Sequence, residues 1–158
     1  MPDLRPGAPT RRLDPTLDFL RLLWTIEHHL QSTSKRMESR IGITGPQRLV
    51  LKVVAESPDI SATEVAGIVR LHPSTITGIL QRLIAKGLLL RARDPIDARR
   101  VRLRIRPAGR RFVKRTKGTI ESAVERGLRG VPPQSVRAAR EVLAAIATAL
   151  ESTHGDGA

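Results

Sequence analysis

Apolar residues recur at helical spacing along most of the chain, and in one stretch they alternate with charged ones instead. From Asp14-Pro15 to about Ser39, the positions Leu17, Leu20, Leu23, Trp24, Ile26, Leu30 and Met37 form a broad stripe. Asp suits the position before a helix and Pro its first residue, so a helix is expected to start there. Gly42 ends it. Thr44-Gly45-Pro46-Gln47 has the spacing of a capping box, in which Thr accepts from a backbone N–H while Gln reaches back. A second helix carrying Leu49, Val50, Val53 and Val54 on one side follows, ending near Ser57-Pro58. Ser61-Ala62-Thr63-Glu64 is another capping box and opens a short helix with Val65, Ile68 and Val69.

His72-Pro73 starts a fourth helix, with His72 as its cap and Ile76, Ile79, Leu80 and Leu83 directed inward. Its other faces carry Ser74, Thr75, Thr77, Gly78, Gln81 and Arg82. Such a face is small and rich in donors and acceptors, without the Glu/Lys pairs of an ordinary solvated helix. Gly87 supplies a left-handed stop. Leu88 to Arg91 then reads as a strand, Asp94-Pro95-Ile96-Asp97 as a turn, and Val101 to Ile105 as the returning strand of a hairpin. In that second strand Val101, Leu103 and Ile105 alternate with Arg100, Arg102, Arg104 and Arg106, which gives one apolar and one arginine face. Pro107 opens a long helix to about Arg129, weakened locally by Gly118 and Gly127, with Phe112, Val113, Ile120, Val124 and Leu128 as its stripe. Val131-Pro132-Pro133 breaks the chain before a last helix with Val136, Val142, Leu143, Ile146 and Leu150.

Composition narrows the function. The 158 residues carry a formal charge of +13, and 40% are apolar, enough for a packed core. From Arg91 to Arg115 eleven Lys and Arg face only Asp94 and Asp97, so this stretch holds +9 of the total. A polyanionic partner is implied, nucleic acid before acidic membrane. No apolar run approaches the ~18 residues of a membrane span, and no charged-then-apolar leader opens the chain. The absence of Cys excludes disulfides, Cys-type zinc sites and thiol switches. There is no glycine-rich phosphate loop, no HExxH and no nucleophile elbow, so no catalytic residue, metal or cofactor is expected and the chain does not read as an enzyme.

Helix, helix, short polar-faced helix and basic hairpin, in that order, make a winged helix-turn-helix. The polar-faced helix suits the major groove, and the hairpin suits the backbone or the adjacent minor groove. The expected fold is mainly α with a small β-hairpin wing, a winged helix-turn-helix plus a helical dimerisation lobe.

The same stretch resembles the MarR family of transcription regulators. The resemblance rests on Ile43-Thr44-Gly45-Pro46-Gln47, on Ser74-Thr75-Ile76-Thr77-Gly78-Ile79-Leu80-Gln81-Arg82-Leu83, on Lys86-Gly87-Leu88, on Asp94-Pro95, Asp97, Arg99 and Arg100, and on Gly109. It implies a homodimer on a pseudo-palindromic operator, acting as a repressor and released by a small aromatic or phenolic effector. It also implies a cytoplasmic protein, nucleoid-associated when bound to DNA, with no membrane partner. On this reading residues 1–12 are a flexible arm and 41–106 the DNA-binding lobe. Residues 13–40 and 107–152 form the dimerisation lobe, and 153–158 a frayed tail.

Groove contacts are expected from Ser74, Thr75, Thr77, Gly78, Gln81 and Arg82. Wing contacts are expected from Arg91, Arg93, Arg99 and Arg100, with Asp97 orienting Arg99. Arg102 and Arg104 divide between phosphate contact and plain solvation. Trp24 and His28, one turn apart, suit either a core tryptophan beside an interface histidine or, with Arg48, a pocket for an aromatic anion. Arg106-Pro107 stands where the family places a capping Thr. Two other readings of the charge stay open: a non-specific architectural DNA binder, and a winged helix that meets an acidic protein.

Overall fold

The structure, a computed structural model, describes residues 13–94, 97, 101–115 and 117–152. The proposed N-terminal arm, the frayed tail, and Pro95, Ile96, Arg99 and Arg100 at the wing tip lie outside them. Elements follow in the order α1 (Pro15–Ile41), α2 (Gly45–Glu56), α3 (Ala62–Val69), α4 (Pro73–Ala85), β1 (Leu89–Arg93), β2 (Val101–Ile105), α5 (Pro107–Lys114), α6 (Ile120–Leu128) and α7 (Pro133–Ser152). No helix among the described residues is long and apolar enough to cross a membrane. The chain divides into two compact units, at Ile120 and Glu121.

Local chemistry sets the helix ends in the first unit. Asp14 Oδ2 accepts from the Thr16 N–H at 3.0 Å, and Gly42 closes α1 at φ 84°. Both capping boxes form. Thr44 Oγ1 accepts from Gln47 N while Gln47 Oε1 accepts from Thr44 N, and Ser61 and Glu64 repeat the exchange at α3. Each satisfies two backbone donors that a helix start otherwise leaves open. His72 Nδ1 accepts from Ser74 N at 3.3 Å, and Gly87 leaves α4 at φ 67°.

These helices bury one cluster: Ile43, Val50, Leu51 and Val54 from α2 and its approach, Val65 from α3, Ile76, Ile79, Leu80 and Leu83 from α4, and Leu88, Leu89 and Leu103 from the hairpin. At about 1.5–3 kcal/mol for each fully buried side chain, this cluster holds the unit together. β1 and β2 pair antiparallel, Leu89 opposite Ile105 and Arg93 opposite Val101, and Ile60 adds a bridge on the other edge of Leu103. Gly109 lets α5 lie against this base, because a Cβ there would collide with the Leu88 carbonyl oxygen.

Several sequence expectations are corrected. The helix from Pro107 is not continuous to Arg129: α5 ends at Lys114, Arg115 is extended and Gly118 turns at φ 75° before α6 begins. On α2 the buried face carries Leu51, and Leu49 points to solvent. The first strand begins at Leu89 and runs on to Arg93. The stripe on α1 is largely uncovered, with Leu17, Trp24, Ile26 and Leu30 exposed and Met37 alone of the described α1 residues buried. From Glu121 to Ser152 no described residue is buried.

Candidate nucleic-acid interface

α4 turns two chemically distinct faces in opposite directions. Ile76, Ile79, Leu80 and Leu83 lie in the core, while Ser74, Thr75, Thr77, Gln81 and Arg82 are exposed and Gly78 half-buried. The helix phase is therefore fixed by the core, and the polar face is what remains for a partner. No atom lies within 4 Å of the place where a Gly78 Cβ would stand, so that part of the face is flat and open. The Thr77 hydroxyl donates back to the Pro73 carbonyl at 2.9 Å, which fixes its rotamer and leaves its oxygen as an acceptor. At the helix start Ser74 Oγ sits 2.7 Å from His72 Nδ1. A helix N-terminus capped this way presents backbone donors and positive dipole to an anion such as phosphate.

The wing arginines fall into two sets. Residues opposite one another in an antiparallel pair share a face, so Arg91 and Arg93 lie on the side of Leu103 and Val101, and Arg102 and Arg104 on the side of Ala92 and Leu90. Arg91 and Arg93 are exposed. Arg102 and Arg104 are each paired with groups of the protein itself, Arg104 with its side chain 51% exposed. Arg102 Nε donates to Asp94 Oδ2 at 2.7 Å, its Nη1 donates to the Asp59 carbonyl at 3.0 Å, and Glu64 Oε2 lies 3.9 Å away. Arg104 Nε donates to Asp59 Oδ1. These carboxylates hold both guanidinium groups above the ordinary arginine range, Asp94 acting chiefly on Arg102 and Asp59 on Arg104. Plain solvation therefore does not describe these two side chains.

Asp94, read from the sequence only as part of the wing turn, also holds Arg102. It is 8% exposed, and its Oδ1 also accepts from the Asp97 N–H at 3.3 Å. The signal was present: an Asp opening a turn binds backbone a few residues on, as Asp94-Pro95-Ile96-Asp97 allows. Asp97 is half-buried, and its expected partner Arg99 lies outside the described residues, as does Arg100.

Of the three residues assigned to an effector pocket, two are exposed and one is buried. Trp24 is 63% exposed on α1, and His28 is exposed with its ring edge-on to His29 at 5.5 Å. Arg48 departs from the expectation. It is 2% exposed, and its guanidinium donates to the carbonyls of Phe112 and, at 3.3 Å, Val113. Carbonyls in the last turn of a helix have no partner within it, so Arg48 caps α5 from α2 and its charge is spent there. Arg106 makes no side-chain cap at the other end of α5, as the Arg106-Pro107 pair implied. No group of three or more His, Cys, Asp or Glu among the described residues could hold a metal ion.

This arrangement recurs in known proteins. The MarR family model matches residues 43–101, from the start of α2 to the wing. The uncharacterized HTH-type transcriptional regulator YsmB of Bacillus subtilis is 28% identical over 105 residues, spanning 66% of this chain and 72% of that protein. Among solved structures, the PcaV transcriptional regulator of Streptomyces coelicolor, in complex with its natural ligand, superposes with a TM-score of 0.71 at 26% identity. That match covers 89% of this chain and 99% of PcaV. CouR of Rhodococcus jostii RHA1, bound to p-coumaroyl-CoA, gives 0.70 at 26% identity over 87% of this chain and 96% of CouR. With a polar-faced α4, a basic two-stranded wing and these matches in agreement, residues 43–101 form a MarR-type winged helix, and the chain is similar over most of its length to transcriptional regulators that carry one.

Proposed function

We propose that the protein is a homodimeric repressor that occupies a pseudo-palindromic operator and is released by a small aromatic or phenolic acid. The observation that carries the dimer is the exposure of apolar side chains at helical spacing on two elements. Leu17, Trp24, Ile26 and Leu30 stand out on α1, and Val142, Leu143 and Leu150 on α7. A monomer in water gains nothing from such stripes, whereas a second copy removes them from solvent. Two copies present two α4 faces and two wings. Half-sites centred about one helical turn, roughly 10 bp, apart then follow.

In this reading Ser74, Thr75, Thr77, Gly78, Gln81 and Arg82 meet base edges and nearby phosphates. Arg91 and Arg93 meet backbone, and Arg99 and Arg100 extend that contact at the wing tip, with Asp97 beside them. Repression is steric, because the bound dimer covers DNA that polymerase or another regulator needs. An effector acts by binding one spacing of the two DNA-binding lobes better than the other. Trp24 offers a stacking surface and His28 a charge partner one turn along. Arg48, committed to α5, takes no part. That PcaV was solved with its natural ligand supports a small-molecule effector, and the phenolic ring of the p-coumaroyl-CoA bound to CouR supports an aromatic one.

Selecting bound duplexes from a random pool tests the operator. An inverted repeat with a spacing of about 10 bp supports the proposal, and recovery of unrelated duplexes at equal affinity establishes a non-specific architectural binder instead. Titrating aromatic acids against the sole tryptophan tests the effector, since absence of fluorescence quenching removes Trp24 from any such site.

A further inference from the structure

Two of the basic residues that make the wing look like a DNA clamp are paired with acidic and carbonyl groups of the protein itself. Their partners lie in the turn between α2 and α3, more than forty residues earlier in the chain. That turn is shaped for the purpose: Asp59 holds φ 63°, a left-handed conformation that Asp tolerates better than most residues. With its backbone so turned, Asp59 offers its carbonyl to Arg102 and its carboxylate to Arg104. The next residue, Ile60, accepts the Leu103 N–H at 2.8 Å. Arg102 completes the link at its other end through Asp94, which in turn holds Asp97 of the wing turn. The chain of bonds thus runs from the helix-turn-helix, through Arg102, to the outer end of the hairpin.

A two-stranded hairpin by itself is a poor lever, because it twists and bends easily. Fixed by two charge-assisted bonds to the turn that leads into α3, it keeps one pitch relative to the groove-reading face. Resting on the DNA-binding reading above, we propose that Arg102, with Asp59 and Asp94, is a positioning latch that sets the wing against α4, and that Arg102 and Arg104 make no phosphate contact. The latch separates affinity from specificity. It adds nothing to the general attraction for duplex, yet the wing and α4 fit the same operator only while it is closed.

The experiment uses the full chain, the duplex selected by the wild-type protein and a scrambled duplex of equal length, each titrated across a salt series. Arg102 borders an open groove of about 450 Å³ beside Pro58, Ile60 and Ile68, so a Gln there is solvated rather than stranded. For Arg102→Gln we expect binding to the selected duplex to fall about tenfold, the worth of a charge-assisted bond, with scrambled-duplex affinity and both salt slopes unchanged. Asp94→Asn should reproduce that loss, and the double variant should lose little more. Arg102→Lys, which keeps the charge and cannot span both partners, should lie between. Arg104→Gln should leave both slopes alone. Thermal melts of each variant show whether the fold is intact, and should Asp94→Asn fail to fold, Arg102→Lys and Arg104→Gln carry the test. A slope reduced by about 0.9 per chain in Arg102→Gln or Arg104→Gln makes these residues phosphate contacts and overturns the latch. Unchanged discrimination in Arg102→Gln and Asp94→Asn overturns it too. If the wild-type protein itself does not prefer the selected duplex, the functional reading fails first, and the two failures are told apart by that control.

Discussion

The winged stretch and the second unit of this chain obey opposite rules. From Ile43 to Leu103, apolar residues are folded into a cluster that α2, α3, α4 and the hairpin share, and the polar face of α4 remains outside; the stripe on α1 is largely exposed. From Glu121 to Ser152 the apolar residues are themselves outside: Val124, Leu128, Val142, Leu143 and Leu150 are all exposed. Both stretches carry regular helices of good length, so propensity does not separate them. What separates them is where the partner surface comes from. The winged stretch supplies its own, and in the proposed dimer a second copy supplies it for the other. On the proposed dimer reading, one surface of the molecule is completed by folding and the other by association.

The comparison breaks most sharply at α7. Leu143→Asp, at a residue 46% exposed, should leave the winged unit folded and yet abolish dimerisation, weakening duplex binding at least ~100-fold as the second lobe is lost. Sedimentation and a gel shift on the same sample read both effects. Retention of tight binding by a monomeric variant would remove the need for a second copy. The reciprocal change is Leu83→Ala in the core of the winged unit, where Leu83 is fully buried. It should cost about 2–5 kcal/mol in denaturant unfolding, against a small change for Leu49→Ala on the exposed side of α2. Equal costs at the two sites would place the core elsewhere.

Smaller effects sharpen the division of labour within the winged unit. Arg48→Met should destabilise the fold by about 1–3 kcal/mol, since the carbonyls of Phe112 and Val113 lose their donor, with operator preference kept. Loss of effector response without loss of stability would return Arg48 to the ligand site. Ser61→Ala should cost about 1 kcal/mol through the α3 cap, read as a lowered melting temperature with duplex affinity at saturation unchanged.

What could be read in the sequence was local. The caps of α1 to α4, the inward set of α4 and the hairpin depend on residues within a turn of one another, and Thr44-Gln47, Ser61-Glu64 and Gly87 announce them directly. The misread pieces depend on distant partners. Leu49 and Leu51 are both apolar and differ in burial only because of what α2 packs against. The end of α5 at Lys114 reflects a donor, Arg48, from α2, and a glycine turn that composition shows only as a weak point. The fate of Arg102 and Arg104 was hidden for the same reason: alternation on a strand says which face a side chain takes, not that Asp59 waits there. The polar face of α4 was legible as a binding surface because the core leaves those residues nothing else to do.

Sedimentation of the protein with its selected duplex, followed as protein is added, tests the whole account most directly. The expected result is a single bound species holding two chains per duplex, formed without a one-chain intermediate and lost together with the dimer in Leu143→Asp. Complexes with one chain, adding further chains independently and with the same affinity for scrambled DNA, would contradict it.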